Sequence, residues 1–270
     1  MTQTRGRVLI IAGSDSGGGA GIQADIKAVT CLGGFAMTAV TALTAQNTQG
    51  VFGIHAVPEE FVREQIRVVM QDLGADCLKI GMLATAGIIR CVRQAIDEFA
   101  PTVPLVLDPV MVAKGGHPLL EPDAVDALKA CLAPRATVIT PNLPEAGVLT
   151  GLSLSTEPDM RAAVAPLRAL GAQAVLLKGG HLDGEALLDL LVEPSGQTEY
   201  RDSRLHTAHT HGTGCTLASA IAAGVAQGLP LERAVARARA YVRVAIETAP
   251  GLGTGHGPLN HAHTVVAPAG

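Results

Sequence analysis

Apolar residues recur along the chain in two alternating rhythms. Nearly continuous runs of aliphatic and β-branched residues cover 7–12, 35–45, 77–81, 105–109, 137–140 and 174–178. Short runs without polar alternation predict parallel strands covered on both faces. Between them lie stretches with helical periodicity, at 22–32, 58–73, 85–99, 122–131 and 157–170. Pro58 and Pro122 suit a first helical turn, and Gly33, Gly74 and Gly171 stand just past helix ends. After Lys178 the rhythm changes. Residues 184–200 predict strands joined by the turn Glu193-Pro194-Ser195-Gly196, and two helices follow over 213–227 and 231–248. Repeated β–α alternation predicts an α/β fold, a central, mostly parallel sheet flanked by helices on both faces, as a single domain over 1–270. Ligands of such sheets bind at the carboxyl ends of strands, so chemistry is sought just after each strand.

Composition narrows the class. The chain is 48% hydrophobic and 16% charged, with a net charge of -4 and only 2% aromatic residues. That excludes disorder and argues against nucleic-acid binding, which uses basic surfaces and stacking rings. Residues 28–58 carry no charge, but their apolar part is too short to span a bilayer, and a buried strand is expected over 35–45. No signal-peptide pattern follows the first apolar run. Cys31, Cys77, Cys91, Cys131 and Cys215 are odd in number, scattered and without a CxxC pair, which predicts free thiols in a reducing cytoplasm.

Several strand ends carry candidate chemistry. The loop Gly13-Ser14-Asp15-Ser16-Gly17-Gly18-Gly19-Ala20-Gly21 could bring backbone amides to a ligand, or be only a tight turn. Asp25, one turn into the next helix, could meet a polar ligand or balance the helix dipole. Gln46 and Asn47 end a charge-free strand and could read a heterocycle with ring nitrogens and an amino group. Asp108 ends another strand, and Lys114-Gly115-Gly116 beyond it suggests a mobile flap. Asn142 and Glu145 could face a hydrated Mg²⁺, or form a capping box at a helix start. Lysine is scarce here, five against 15 Arg, so Lys178 before Gly179-Gly180 suggests a phosphate contact. Gly212-Thr213-Gly214-Cys215 opens a small-residue helix whose amides would form an anion site. The field of that terminus is expected to lower the Cys215 thiol pKa. A zinc site among His206, His209 and His211 or His256, His261 and His263 lacks the usual ligand spacing. Gly253–Pro258 could wall the site or be a surface turn. Arg237, Arg239 and Arg243 read as a solvated helix face. Together, acid, cation and glycine-rich helix start at successive strand ends suit phosphoryl transfer.

The ordered stretches Ile11–Asp25, Thr41–Thr48, Lys79-Ile80-Gly81-Met82-Leu83, Leu107-Asp108-Pro109-Val110-Met111, Thr140–Ala146, Leu177–His181 and His211–Leu217 resemble the hydroxymethylpyrimidine/phosphomethylpyrimidine kinases of thiamine biosynthesis, within the ribokinase-like superfamily. The resemblance implies transfer of the ATP γ-phosphoryl group to 4-amino-5-hydroxymethyl-2-methylpyrimidine and then to its monophosphate. It implies that Ala20, Asp25, Gln46, Met82 and Val110 line the pyrimidine pocket and that Asp108 and Glu145, with Asn142, organise Mg²⁺ and its waters. Lys178, Gly180, Asn142 and Thr213 would serve ATP. Gly212, Thr213 and Gly214 would cradle the transferring group, and Cys215 would act as base. His209 and Arg239 stand where such relatives often carry Asn and Lys. A homodimer is implied, with no nucleic-acid or membrane partner. Pyridoxal kinase activity and a non-catalytic pyrimidine-binding regulator are the competing readings.

Overall fold

The computed structural model describes residues 6–113 and 116–265. Eight strands form one sheet: β1 (Arg7–Ala12), β2 (Phe35–Val40), β5 (Cys77–Ile80), β6 (Leu105–Leu107), β7 (Val138–Ile139), β8 (Ala174–Lys178), β9 (Ala186–Glu193) and β10 (Gly196–Ser203). Their spatial order is β10-β9-β8-β7-β6-β5-β1-β2. The strands from β2 across to β8 run parallel, and β9 and β10 join antiparallel.

Alternation along the parallel strands divides the core. Leu9, Ile11, Leu78, Ile80, Leu105 and Leu107 point to one face. There they meet α2 (Glu59–Asp72), α3 (Ala86–Phe99), α4 (Pro122–Ala127) and α5 (Leu143–Thr150). Val8, Ile10, Cys77, Val106 and Val138 point to the other face, under α1 (Gly21–Cys31), α8 (Thr213–Ala226) and α9 (Leu231–Glu247). Both faces of the sheet are therefore covered by helices, as the continuous apolar runs require. Thr216–Gly224 of α8 are buried without a break. Small side chains there let the helix lie close to the strand ends. Gly33, Gly74 and Gly171 have positive φ, as expected of helix-ending glycines.

Some elements depart from the sequence expectations. The run 35–45 is not one buried strand. It breaks at Thr41, whose hydroxyl donates to the Met82 carbonyl oxygen at 2.7 Å. Beyond the break, β3 (Ala42–Gln46) pairs antiparallel with β4 (Val51–Ala56) in a separate two-stranded ribbon. The new pairing shows in the burial pattern: Ala42 and Thr44 face inward, whereas Leu43 and Ala45 are exposed. The expected helix over 157–170 divides into α6 (Glu157–Ala162) and α7 (Val164–Arg168). The helix over 122–131 ends in a π-turn at Leu128–Leu132. Arg239 is not on a solvated face: its side chain is 10% exposed and ion-paired with Asp189 and Asp202. Arg237 also has buried guanidinium nitrogens. Lys114 and Gly115 of the expected flap lie outside the described residues. All five cysteines are free thiols. Among the described residues, no helix is long and apolar enough to cross a membrane.

Candidate active site

The loop between β1 and α1 folds around Asp15. Its carboxylate accepts from the amides of Gly17 at 2.8 Å, Gly19 at 3.0 Å and Ala20 at 2.8 Å. It also meets His211 Nε2 at 2.9 Å. Burial pushes the Asp15 carboxyl up, but the His211 contact and these amides together hold it below its ordinary value. Asp15 thus ties the first glycine loop to the one before α8. The two loops touch: a Cβ on Gly212 would collide with the Gly19 carbonyl oxygen, and Gly212 has φ 80°, where glycine is favoured. In the sequence Asp15 was only part of the glycine loop and His211 only part of a histidine cluster, and neither signalled this contact.

At the ends of β6 and β8, Asp108 is 2% exposed and lies 3.1 Å from Lys178 Nζ. It accepts from Thr140 Oγ1 at 3.0 Å. Burial opposes the Lys178 charge, but Asp108 and Glu145 outweigh it and keep the ammonium protonated. Asn142 and Glu145 form the capping box of α5: Asn142 Oδ1 accepts from the Glu145 amide at 2.9 Å, and Glu145 Oε2 accepts from the Asn142 amide at 2.8 Å. The box leaves Glu145 Oε1 out. Burial pushes the Glu145 carboxyl up to about 7, against the pull of Lys178. The α8 N-terminus completes the site. Gly212 caps it without a side chain; the Thr213 amide donates to the Thr210 carbonyl oxygen at 3.4 Å, and the next amides have no capping side chain. A Cβ on Gly214 would lie 3.5 Å from Lys178 Nζ and 3.7 Å from Asp108 Oδ2. Cation, carboxylate and helix terminus therefore converge.

The expectation for the Cys215 thiol is overturned. Burial pushes its pKa up to about 12; Lys79 opposes this, while Asp25 and Asp108 add to it. Desolvation and two carboxylates outweigh Lys79 and the Gly21 amide. Asp25 lies in the protein interior. It is fully buried, its oxygens 2.9 and 2.8 Å from Lys79 Nζ, and Ser219 Oγ donates to it at 2.6 Å. Burial raises the Asp25 carboxyl, whereas for Lys79 the attraction of Asp25 overcomes burial and the ammonium stays protonated. A lysine inside the apolar run Cys77-Leu78-Lys79-Ile80 was the missed signal, since such a charge needs a partner.

The remaining expected residues surround the cleft. Gln46 sits at the β3 bulge, its Nε2 3.3 Å from His211 Nε2. Met82 packs with Ala42, Ala84 and Val110. Ala20 closes the first glycine loop. Thr213 Oγ1 donates to the Thr210 carbonyl oxygen at 2.8 Å. Gly180 is exposed, its carbonyl oxygen held by Arg204 at 2.8 Å. The stretch 253–258 walls the cleft: the His256 amide donates to Thr48 and the His211 amide to Gly257. A cavity of about 370 Å³ opens beside the irregular segment 204–210 that leads to the cradle, lined by Leu205, His206, Thr207, His209, Ile246 and Ala249 among others. Buried His209 Nδ1 has no hydrogen-bond partner there. Among the described residues no three His, Cys, Asp or Glu side chains gather as a metal site.

Comparison with known proteins shows the family. The family model described as phosphomethylpyrimidine kinase matches residues 15–260. The thiamine biosynthesis bifunctional protein ThiED of Geobacter sulfurreducens is 51% identical over 95% of this chain, which spans 52% of that longer protein. The hydroxymethylpyrimidine/phosphomethylpyrimidine kinase of Bacillus subtilis is 47% identical, with 94% of each chain covered. Among solved structures, the ADP complex of Bacillus subtilis pyridoxal kinase superposes with a TM-score of 0.88 at 37% identity, covering 96% of this chain and 98% of that one. The phosphomethylpyrimidine kinase of Clostridium difficile 630 gives 0.79 at 40% identity, covering 89% and 99%. By the span of the family model and the identity of these relatives, the chain belongs to the phosphomethylpyrimidine kinase family.

Proposed function

We propose that the chain, acting as one kinase domain, transfers the γ-phosphoryl group of ATP to 4-amino-5-hydroxymethyl-2-methylpyrimidine and then to the monophosphate so formed. One observation carries the reading: Lys178, Asp108 and the α8 N-terminus meet at Gly214. Phosphoryl transfer needs little beyond positioning and neutralised charge. The substrate oxygen attacks the γ-phosphorus, the bond to the bridging oxygen breaks, ADP leaves with that oxygen, and the hydroxyl proton of the first transfer is released to water. Lys178 holds the phosphates, and the amides of Gly214 and Cys215 at the α8 start receive the transferring group. The names of the relatives support the substrate. Ala20, Gln46, Met82 and Val110 would hold the ring, with the Asp25–Lys79 pair sealed beneath. Asn142 and Gly180 would border the nucleotide, and the cavity at His209 suits its nucleoside.

Asp108 and Glu145 fit a Mg²⁺ ion, because they offer hard oxygen donors beside the phosphate lysine and leave room for phosphate and water ligands. Bound there, Mg²⁺ would offset phosphate charge. Cys215 would meet the substrate hydroxyl. At pH 7 a thiol with a pKa of about 12 is ionised to about one part in 10⁵, so its role is first that of a contact. If it is the base, log kcat rises with unit slope above pH 7 and Cys215→Ser removes that slope. A flat profile leaves it as a contact alone.

A cytoplasmic homodimer completes the reading. The β3–β4 ribbon exposes Leu43, Phe52 and Ile54, and an isolated two-stranded ribbon is marginally stable. Sedimentation of the protein and of a Phe52→Asp variant checks this. The deciding assay is Mg²⁺-dependent ATP consumption with hydroxymethylpyrimidine, its monophosphate and pyridoxal. No turnover with either pyrimidine refutes the proposal, and turnover with pyridoxal alone replaces the substrate.

A further inference from the structure

The turn that carries Lys178 is held from outside the cleft. β8 ends at Lys178, which lies opposite Asp189 of β9 in the antiparallel register. Asp189 interrupts a leucine-rich strand and is 5% exposed, so its charge must be compensated inside the protein. Its oxygens divide between two partners. Oδ1 accepts from the Gly179 amide at 2.8 Å, and Oδ2 is ion-paired with Arg239 of α9. Arg239 reaches Asp202 Oδ2 on β10 at 2.6 Å, and its guanidinium lies 5.1 Å over the Tyr200 ring. The guanidinium is thereby fixed by three groups. β9 packs closely on Gly179, because a Cβ there would strike the Leu188 carbonyl oxygen. The Lys178 amide in turn donates to Pro141 at 2.9 Å. The backbone on each side of the Lys178 Cα is thus anchored, and its side chain is aimed at Asp108.

We propose that Asp189 and Arg239 are positioning residues for phosphoryl transfer, because together they lock the Gly179 amide and so hold Lys178 on the phosphate. The inference rests on the phosphate role given to Lys178 above. A structural ion pair that only ties α9 to the sheet would change stability and leave the kinetics of the folded enzyme alone. A displaced phosphate lysine instead changes kcat and the KM for ATP, and spares the KM for the pyrimidine.

The test compares Asp189→Ala, Asp189→Asn, Arg239→Met and Arg239→Lys in the full chain, with rates normalised to folded protein and melting recorded in parallel. Asp189→Ala and Arg239→Met are expected to lower kcat/KM for ATP by about tenfold or more, as a small misplacement of a positioning group does. The pyrimidine KM stays within about twofold of the parent value on the same argument. Arg239→Lys restores most of the loss. Asp189→Asn keeps an acceptor for Gly179 and falls between. If Asp189→Ala does not fold, the double variant Asp189→Asn/Arg239→Met, which leaves no buried unpaired charge and only the half-exposed Asp202 without its partner, makes the same comparison. Lys178→Met is the reference. Adding Asp189→Ala to it should cost nothing further, since both act on one interaction. Parent-like kinetics with a lowered melting temperature overturn the inference, as do losses that multiply in the double variant. Parent-like turnover by Lys178→Met would instead overturn the phosphate reading itself.

Discussion

Removing one partner of the Lys79–Asp25 pair should be among the most damaging single changes outside the cleft. Both side chains are 0% exposed. In Lys79→Met, Asp25 keeps the Ser219 hydroxyl donor at 2.6 Å and loses its counter-charge. Breaking such a buried pair costs about 3–5 kcal/mol. For a chain of this size that corresponds to a melting temperature lower by about 10 °C. Lys79→Met/Asp25→Leu leaves no buried charge, only a Ser219 hydroxyl without its acceptor, at about 1 kcal/mol. It should recover most of the loss. The sign with pH follows from the raised Asp25 carboxyl. A carboxyl raised on folding stabilises below its ordinary range and loses that contribution as pH rises through its folded value. The Lys79→Met penalty therefore shrinks in acid. Urea unfolding followed by circular dichroism at several pH values checks this. A Lys79→Met loss under about 1 kcal/mol at neutral pH, or a double variant no more stable than the single one, would mean that the pair is not held by its buried charges.

Two further outcomes follow. Gly212→Ala places a Cβ against the Gly19 carbonyl oxygen in left-handed backbone; turnover should fall about 100-fold with far-ultraviolet circular dichroism unchanged, which steady-state assays check. Burial, helped by Lys27, depresses His261 from 6.5 to about 4, so its neutral form contributes about 3 kcal/mol above pH 6.5 that is lost as the pH falls to about 4; His261→Gln should flatten acid unfolding across that window.

The sheet was legible because parallel strands covered on both faces are apolar throughout, and their lengths left little ambiguity. The ribbon was not, since its apolar residues continue those of β2 and only the inward Ala42 and Thr44 reveal a new pairing. At the site, Lys178, Asp108 and the glycine cradle were legible as unusual residues at strand ends. The Asp15–His211 and Asp189–Gly179 contacts were not, because each joins a common residue type to a partner defined only by the tertiary fold. The Cys215 thiol was misjudged for a related reason. Sequence shows the helix start, but not the carboxylates that close in behind it.

The contact between Gly19 and Gly212 brings together loops from opposite ends of the chain. Residues between them build most of the sheet, so the phosphate cradle can close only once that sheet has formed. Occupancy then acts as a clasp across the fold. A ligand bound there stabilises the terminal third against local opening by mass action. Proteolysis near residues 205–215 should therefore slow on ligand addition, reporting occupancy without any turnover.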